Sequence, residues 1–261
     1  IGANFHGRTL SSNTLRGGPM MKLPGGYNMF TEISSGEEKK LTIELEGAIQ
    51  RSYENNFSEF NNIELDISYR PINALKISIN PEYDFSRTSL QYITQEEQNG
   101  MSRYIFGSLK RHTVSASFRI NLNLTPELSL QYWGQPFIAS GKYSHIKRIT
   151  QPMADNYSDR FREYLAQEIG YNPGDETYTI SDSGFGPITY DQPDFNVREF
   201  LSNMVIRWEY NPGSTLYLVW SQHRESSVKD GSFHLGNDFD HLFKAKPNNI
   251  FLVKLSYRLG R

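Results

Sequence analysis

Between residues 113 and 124 hydrophobic and polar side chains alternate without a break. Val114, Ala116, Phe118, Ile120, Leu122 and Leu124 occupy the even positions, and Thr113, Ser115, Ser117, Arg119, Asn121 and Asn123 the odd ones. Successive residues of an extended strand point to opposite faces, so this stretch has one apolar face and one polar face. No helix separates the two sets. The period recurs along the chain. Leu75, Ile77, Ile79, Tyr83 and Phe85 alternate with Lys76, Ser78, Asn80, Glu82, Asp84 and Ser86. Ile63, Leu65, Ile67 and Tyr69 alternate with Glu64, Asp66, Ser68 and Arg70, and Leu41, Ile43, Leu45 and Ile49 with Thr42, Glu44, Glu46 and Gln50. Met204, Ile206, Trp208 and Tyr210 alternate with Asn203, Val205, Arg207 and Glu209; near the end Phe251, Val253, Leu255, Tyr257 and Leu259 alternate with Lys254, Ser256 and Arg258.

About twelve strands follow from this pattern, over 1–8, 26–34, 40–52, 61–70, 75–86, 89–97, 102–109, 113–124, 128–142, 197–210, 215–225 and 249–260. Within 87–112 both intervening links are short, so a projecting hairpin in place of two full spans would bring the count to ten. Several strands reach lengths where soluble strands centre on about 5–6 residues and tilted membrane strands need about 9–11. Turns at 35–39, 71–74, 125–127 and 211–214 carry Pro, Gly or charge, with Thr-Pro-Glu and Asn-Pro-Gly supplying preset or permissive φ. Longer links at 9–25, 53–60, 143–196 and 226–248 alternate with them, as short periplasmic turns and long outer loops do in outer-membrane barrels. The 143–196 insertion is expected to hold a short amphipathic helix, with Ser158 as N-cap and Phe161, Leu165 and Ile169 along one face. Residues 238–245 are expected to form another helical turn.

The alternation also fits a soluble sandwich, and composition favours the membrane. A chain with mean hydropathy of -0.58 carries 16 Tyr, 16 Phe and 3 Trp, as expected where half of each strand is wet and aromatic girdles mark interfaces. No run of about 18 apolar residues offers a helical span. The fold expected is all-β: an antiparallel transmembrane β-barrel of ten to twelve strands over 1–261, with long outer loops and a short helix in one of them. A formal charge of -2 with no long basic tract argues against a nucleic-acid partner, and the absence of cysteine removes disulfides and thiolate metal sites. The chain opens Ile1-Gly2-Ala3, which reads as a processed or partial chain, the C-terminal portion of a longer protein.

Arg16-Gly17-Gly18-Pro19, Gln135-Pro136-Phe137, Arg207-Trp208-Glu209-Tyr210, the stretch from Asn211-Pro212-Gly213 to Trp220, Asp238-Phe239-Asp240 and the closing run from Asn249 to Tyr257 carry a resemblance over nearly the whole chain. The chain resembles the C-terminal barrel region of a Bacteroidetes outer-membrane family of unassigned function. Full-length members of that family carry an N-terminal β-sandwich similar to a carbohydrate-binding module of family nine, followed by a longer barrel. The resemblance therefore implies a glycan association and a ring completed by an N-terminal segment or other envelope proteins.

The two faces define the candidate residues. Glu44, Glu46, Glu64, Asp66, Glu82, Asp84, Arg119, Arg207, Lys254 and Arg258 are expected to line the lumen. They either polarise it toward a polar solute or form an ion-pair and hydrogen-bond network that fills a narrow barrel, the plainer reading. Ile63, Leu65, Ile67, Leu75, Ile77, Ile79, Phe118, Ile120, Ile206, Trp208, Val253, Leu255 and Tyr257 are expected to meet outer-membrane lipid. Trp133, Phe137, Tyr143, Tyr171, Tyr178 and Phe185 near the outer mouth either stack on sugar rings or simply pack. His234, Asp238, Asp240 and His241 match no metal-binding spacing, and no cofactor or metal is expected. No GxSxG-type nucleophile motif accompanies the six histidines, His6, His112, His145, His223, His234 and His241. The expected function is a non-enzymatic bacterial outer-membrane barrel that admits or binds extracellular polar, glycan-related solutes. The alternatives are a scaffold subunit of an outer-membrane secretion or assembly complex, and a membrane-embedded hydrolase.

Overall fold

The computed structural model describes residues 1–36, 38–54, 57–98, 100–182 and 186–259. Its strands are β1 (Gly2–His6), β2 (Thr9–Ser11), β3 (Met21–Leu23), β4 (Gly26–Ser34), β5 (Leu41–Ser52), β6 (Ser58–Ile72), β7 (Leu75–Gln98), β8 (Met101–Asn123) and β9 (Leu128–Ile149). There follow β10 (Phe161–Glu163), β11 (Ile169–Asn172), β12 (Thr177–Ile180), β13 (Ile188–Asp191), β14 (Phe195–Asn211), β15 (Ser214–Val228), helix α1 (Leu235–Lys244) and β16 (Asn248–Ser256). Among the described residues no helix is long and apolar enough to cross a membrane. One antiparallel sheet dominates, in the order β1-β4-β5-β6-β7-β8-β9-β14-β15-β16, with β10 added beside the outer end of β9. The sheet does not close on itself; β1 and β16 are its two edges.

The main path thus has ten strands. The chain stays extended through 87–88, so the expected 75–86 and 89–97 are one strand of 24 residues, and 102–109 and 113–124 merge into one of 23. Register shifts between Thr88 and Gln91 and between Tyr92 and Thr94 absorb the irregularity a turn would otherwise have taken. The short turns fall where expected, all at one end of the sheet. At 211–214 Gly213 takes φ 78°, which suits a residue without a Cβ. At 125–127 the Thr125 hydroxyl accepts the Glu127 and Leu128 amides. Part of the Gln98-Asn99-Gly100 turn and of the 35–39 turn (Asn99 and Glu37) lies outside the described residues, as do Gly260 and Arg261, where the last expected strand ends.

The helix expected from Ser158 to Ile169 is not there. Residues Tyr157–Arg160 and Ala166–Glu168 are single 3-10 turns, and Phe161–Glu163 joins the edge of β9. Backbone pairing to an open strand edge satisfies groups that a one-turn helix would leave orphaned. Leu165, expected on the buried stripe, is exposed, and its neighbour Tyr164 is the buried residue. The helical turn expected over 238–245 is present as α1.

Register carries the two-faced pattern across the sheet. Ile43, Ile67, Ile79 and Phe118 stand in one row on β5 to β8. Tyr69, Ile77, Ile120 and Tyr132 make a second row, and Leu130, Ile206, Leu218 and Val253 continue the face through β9, β14, β15 and β16. Tyr257 lies just past the end of β16. Leu41, Ile43, Leu45, Ile63 and Ile79 are exposed, whereas Thr42, Glu44, Glu46, Glu64 and Glu82 are half-buried. On these three strands the charged face is the more sheltered one, whereas on β8 Arg119 and Asn121 are exposed and Phe118 and Ile120 half-buried. The fully buried apolar clusters lie at the long-loop end, around Ile105, Ile180 and Ile188 and around Leu15, Met21 and Phe106.

Candidate functional site

Two regions concentrate chemistry: the sheltered polar face and the cap at the long-loop end. On the polar face Glu46, Glu64 and Glu82 stand abreast on β5, β6 and β7, and Glu32 on β4 extends the row. Glu44 sits opposite Asp66, and Asp84 opposite Asn62. Adjacent strands are about 4.8 Å apart, so this is a continuous acidic wall. Asn62 Nδ2 donates to Glu82 Oε1 (3.1 Å) and Asp84 Oδ1 (2.9 Å), and Ser115 Oγ donates to Glu82 Oε2 (3.3 Å). Among the described residues none of the six expected carboxylates forms an ion pair, so amide and hydroxyl donors, not cations, bridge the wall. Glu32 was not singled out from sequence because only register aligns it with the others.

The four expected cations lie elsewhere on the sheet. Arg119 on β8 neighbours Ser78 and Trp133, while Arg207 on β14 binds Glu209 at 2.8 Å. Lys254 on β16 sits 5.9 Å from the Tyr217 ring, and Arg258, beyond β16, donates its backbone N–H to Ser214 Oγ. None of these four cations thus faces the acidic wall across the ladder. At the short-turn end of the acidic wall a hollow of about 960 Å³ is lined by Glu32, Glu44 and Asp66 together with Lys40, Arg70 and Lys76.

The cap is a three-stranded sheet, β11-β12-β13, seated beside the outer ends of β8 and β9. Its register puts Tyr171 opposite Tyr178 and Tyr178 opposite Tyr190. The first two rings lie 4.8 Å apart, and the second pair stacks at 5.8 Å and 19°. Buried Asp182 fixes the neighbourhood by accepting from Arg148 Nη1 (2.8 Å), Tyr164 Oη (3.1 Å) and Arg162 Nη1 (3.5 Å). Arg162 also binds Glu168 at 2.5 Å, and this partner holds the Glu168 carboxyl below the usual carboxylate range.

A cleft of about 350 Å³ opens between this sheet and the outer end of β9, within the size range of small-ligand sites. Tyr143, Tyr164, Tyr178 and Tyr190 line it, with Asp194, His145 and Glu163 supplying polar groups. His145 holds a left-handed backbone (φ 49°), a strained conformation for a residue with a Cβ, and its Nδ1 lies 2.6 Å from Glu163 Oε1. Asp194 Oδ1 accepts the Tyr143 amide at 2.7 Å; burial pushes its carboxyl above the ordinary range. Tyr190 is only 8% exposed, and its hydroxyl has no partner among the described residues, while burial pushes its phenol up. Flat rings beside a half-buried carboxylate and an unsatisfied hydroxyl suit a small polar ring that brings its own donors.

Of the aromatics expected at the mouth, Tyr143 and Tyr178 meet in this cleft and Tyr171 flanks it. Trp133 and Phe137 instead lie on the polar face of β9, opposite Arg119 and Ser115 respectively, and Phe185 lies outside the described residues. Tyr190 and Asp194 were not foreseen; the only sequence signal for them is a tyrosine on each of three short segments. Asp238 is buried against Arg198 and Asn196, apart from any cluster of ligating side chains among the described residues.

No curated protein and no solved structure matches the chain. A family model described as a domain of unknown function, DUF5916, matches residues 11–260. That match covers nearly the whole length, and the chain belongs to the DUF5916 family.

Proposed function

We propose that this chain forms the wall of a bacterial outer-membrane β-barrel that admits or binds extracellular polar, glycan-related solutes without chemical turnover. One observation carries the reading: across β5 to β7 apolar side chains such as Ile43, Leu45, Ile63 and Ile79 are exposed on one face, while Glu44, Glu46, Glu64 and Glu82 are half-buried on the other. On β5 Ile43 is 43% and Leu45 39% exposed. In water each exposed apolar side chain forgoes about 25 cal/mol per Å², and monomeric soluble proteins rarely carry an apolar patch beyond a few hundred Å². Hydrocarbon removes that penalty. Aromatic residues fall near both rims of the belt, with Tyr27, Phe85, Trp220 and Phe251 toward the long loops and Tyr69, Trp208 and Tyr210 toward the short turns.

The solute class is read from the acidic wall of the polar face, the tyrosine-lined cleft above it, and the resemblance to Bacteroidetes proteins that bear a family-nine-like carbohydrate-binding sandwich. Surfactant-free purification and planar-bilayer recording test it together. The protein should require detergent and give conductance that depends on added saccharides. A stable monomer in plain buffer refutes the reading. Tyr178→Ala should weaken saturable saccharide binding by roughly tenfold, since base- or ring-stacking on one aromatic contributes about 1–3 kcal/mol; unchanged affinity removes the cleft from the site.

A second reading, docking to further β-strands, is supported by the open edges. Backbone groups on an unpaired edge in lipid cost several kcal/mol each. On β16 Ile250 and Leu252 are exposed on one face while Phe251 and Val253 are exposed on the other. Additional strands, from an N-terminal segment or another envelope protein, would cover both. Native detergent extraction with cross-linking from β16 tests this; a closed monomer in which β16 cross-links only to β1 rules it out.

A further inference from the structure

Helix α1 stands on the outside of the wall. Register places Arg198 and Phe200 on the same face of β14 as Met204 and Ile206, the apolar face, and Arg224 on the matching face of β15. Arg198 Nε and Asn196 Nδ2 each donate to the buried Asp238 Oδ1 at 3.0 Å. Arg224 Nη1 donates to the Phe243 and Ala245 carbonyls (2.5 and 3.2 Å), placing a cation at the negative end of the helix. Leu242 is fully buried, and the helix packs on β14 and β15. The helix is thus fastened at both ends to the face that the proposed function gives to lipid.

Its height follows from the ladder. The apolar belt on β14 and β15 ends at the pair Met204 and Trp220; Ser202 and Gln222 come next, then Phe200 and Arg224. From Met204 to Phe200 is four residues, about 13 Å along the strand and about 10 Å along the membrane normal at a tilt near 40°. That height is the headgroup zone just outside the hydrocarbon.

The helix also carries more apolar surface than the wall covers. Leu242 is fully buried, but the neighbouring arc of Leu235, Phe239 and Phe243 is only partly covered; Leu235 is 43% and Phe243 48% exposed. Phe239 and Phe243 stack on each other at 6.3 Å and 7°. Phe243 also meets Phe200, the anchoring sheet residue nearer the belt, at 5.4 Å, so the arc is turned toward the belt. Asn237, Asp240, His241 and Lys244 are exposed on the other side. An amphipathic helix of this kind settles with its apolar side about 5–10 Å deep at the boundary of headgroups and acyl chains.

We infer that α1 is an interfacial helix whose Leu235, Phe239 and Phe243 are immersed in the outer edge of the lipid bilayer, so that it floats the last outer loop on the membrane surface. The inference rests on the membrane reading above. The chain has no cysteine, so single labels can be placed freely. Leu235→Cys, Phe239→Cys, Asn237→Cys and Asp240→Cys, each labelled with an environment-sensitive fluorophore, are compared in the full chain reconstituted in phosphatidylcholine vesicles. Ile77→Cys serves as the belt control. Labels at 235 and 239 should be quenched severalfold more by headgroup-proximal nitroxide lipid than labels at 237 and 240, and iodide should reverse the order. Equal iodide access at all four positions, with lipid quenching intact at 77, overturns the interfacial helix alone; a protein partner covering the arc would give low quenching by both agents and overturns it too. Absence of lipid quenching at 77 overturns the membrane reading and this inference with it.

Discussion

Replacing Phe118 by Arg probes the apolar face at its most sensitive depth. Phe118 stands on β8 between Ile79 of β7 and Gly134 of β9, with its ring 6.1 Å from that of Tyr132. From Val114 to Leu122, the apolar run on β8 covers eight residue steps, about 26 Å along the strand and about 20 Å along the normal at a tilt near 40°. Phe118 is at the middle, about 10 Å from either rim by the same geometry. A cation at the midplane of a barrel wall costs about 2–4 kcal/mol, and one near the interface about 0–1. Phe118→Arg should therefore shift the folding equilibrium into vesicles by roughly thirty- to a thousandfold, at about 1.4 kcal/mol per tenfold. Leu122→Arg, at the lower rim, should cost little. Ser117→Arg points to the other face, where Ser117 Oγ makes one 3.0 Å hydrogen bond to Asn80, and should cost about 1 kcal/mol or less. Urea titrations of vesicle-inserted protein, read by tryptophan fluorescence and heat-modifiable gel mobility, measure all three. Phe118→Ala separates lost apolar contact from charge. If Ser117→Arg and Phe118→Arg are equally tolerated, the assignment of the two faces is wrong.

Other outcomes follow from the cap and its tethers. Because burial raises the folded pKa of Asp194, that group favours the cap at low pH, and the contribution is lost as pH rises through the raised value. Asp194→Asn keeps an acceptor for the Tyr143 amide and should raise the thermal midpoint at pH 7, the gain vanishing well below the ordinary carboxylate range; a lower midpoint at pH 7 contradicts the sign. Glu168 behaves oppositely: its lowered pKa contributes stability above the ordinary range that is lost as pH falls through the folded value, so hydrogen exchange in 162–168 should accelerate only in acid. Arg160 is fully buried and donates to the Ala154, Lys22 and Asp155 carbonyls at 2.8, 2.9 and 3.0 Å. Arg160→Ala strands those acceptors and should loosen 150–160 by about 3 kcal/mol, seen as proteolysis there with the wall intact.

The wall was legible because sheet periodicity is written within each strand. Leu75 to Phe85 and Val114 to Leu124 declare their faces without knowledge of their neighbours, and Pro212-Gly213 and Thr125 mark the turns. What needed register was not legible. Glu32 joins the acidic wall only when β4 is laid beside β5, and Tyr171, Tyr178 and Tyr190 become a stack only across three short strands. The spacing of Phe161, Leu165 and Ile169 imitates a helix, but the free edge of β9 claims Phe161–Glu163 first. The anchoring of α1 joins Asp238 to Arg198, forty residues earlier, and no local pattern encodes such a pair.

The unbroken run of β7 and β8 sets how the cap can move. From Phe85 to Gln98, β7 continues for up to about 43 Å along its own axis, paired with β8 to its tip except at the two register shifts between Thr88 and Thr94. Such a ribbon resists sharp bending except at those two shifts, where the ladder is already interrupted. Under the proposed function, a solute held in the tyrosine cleft would be kept at a standoff from the bilayer, with bending of the ribbon confined to the two shifts between Thr88 and Thr94.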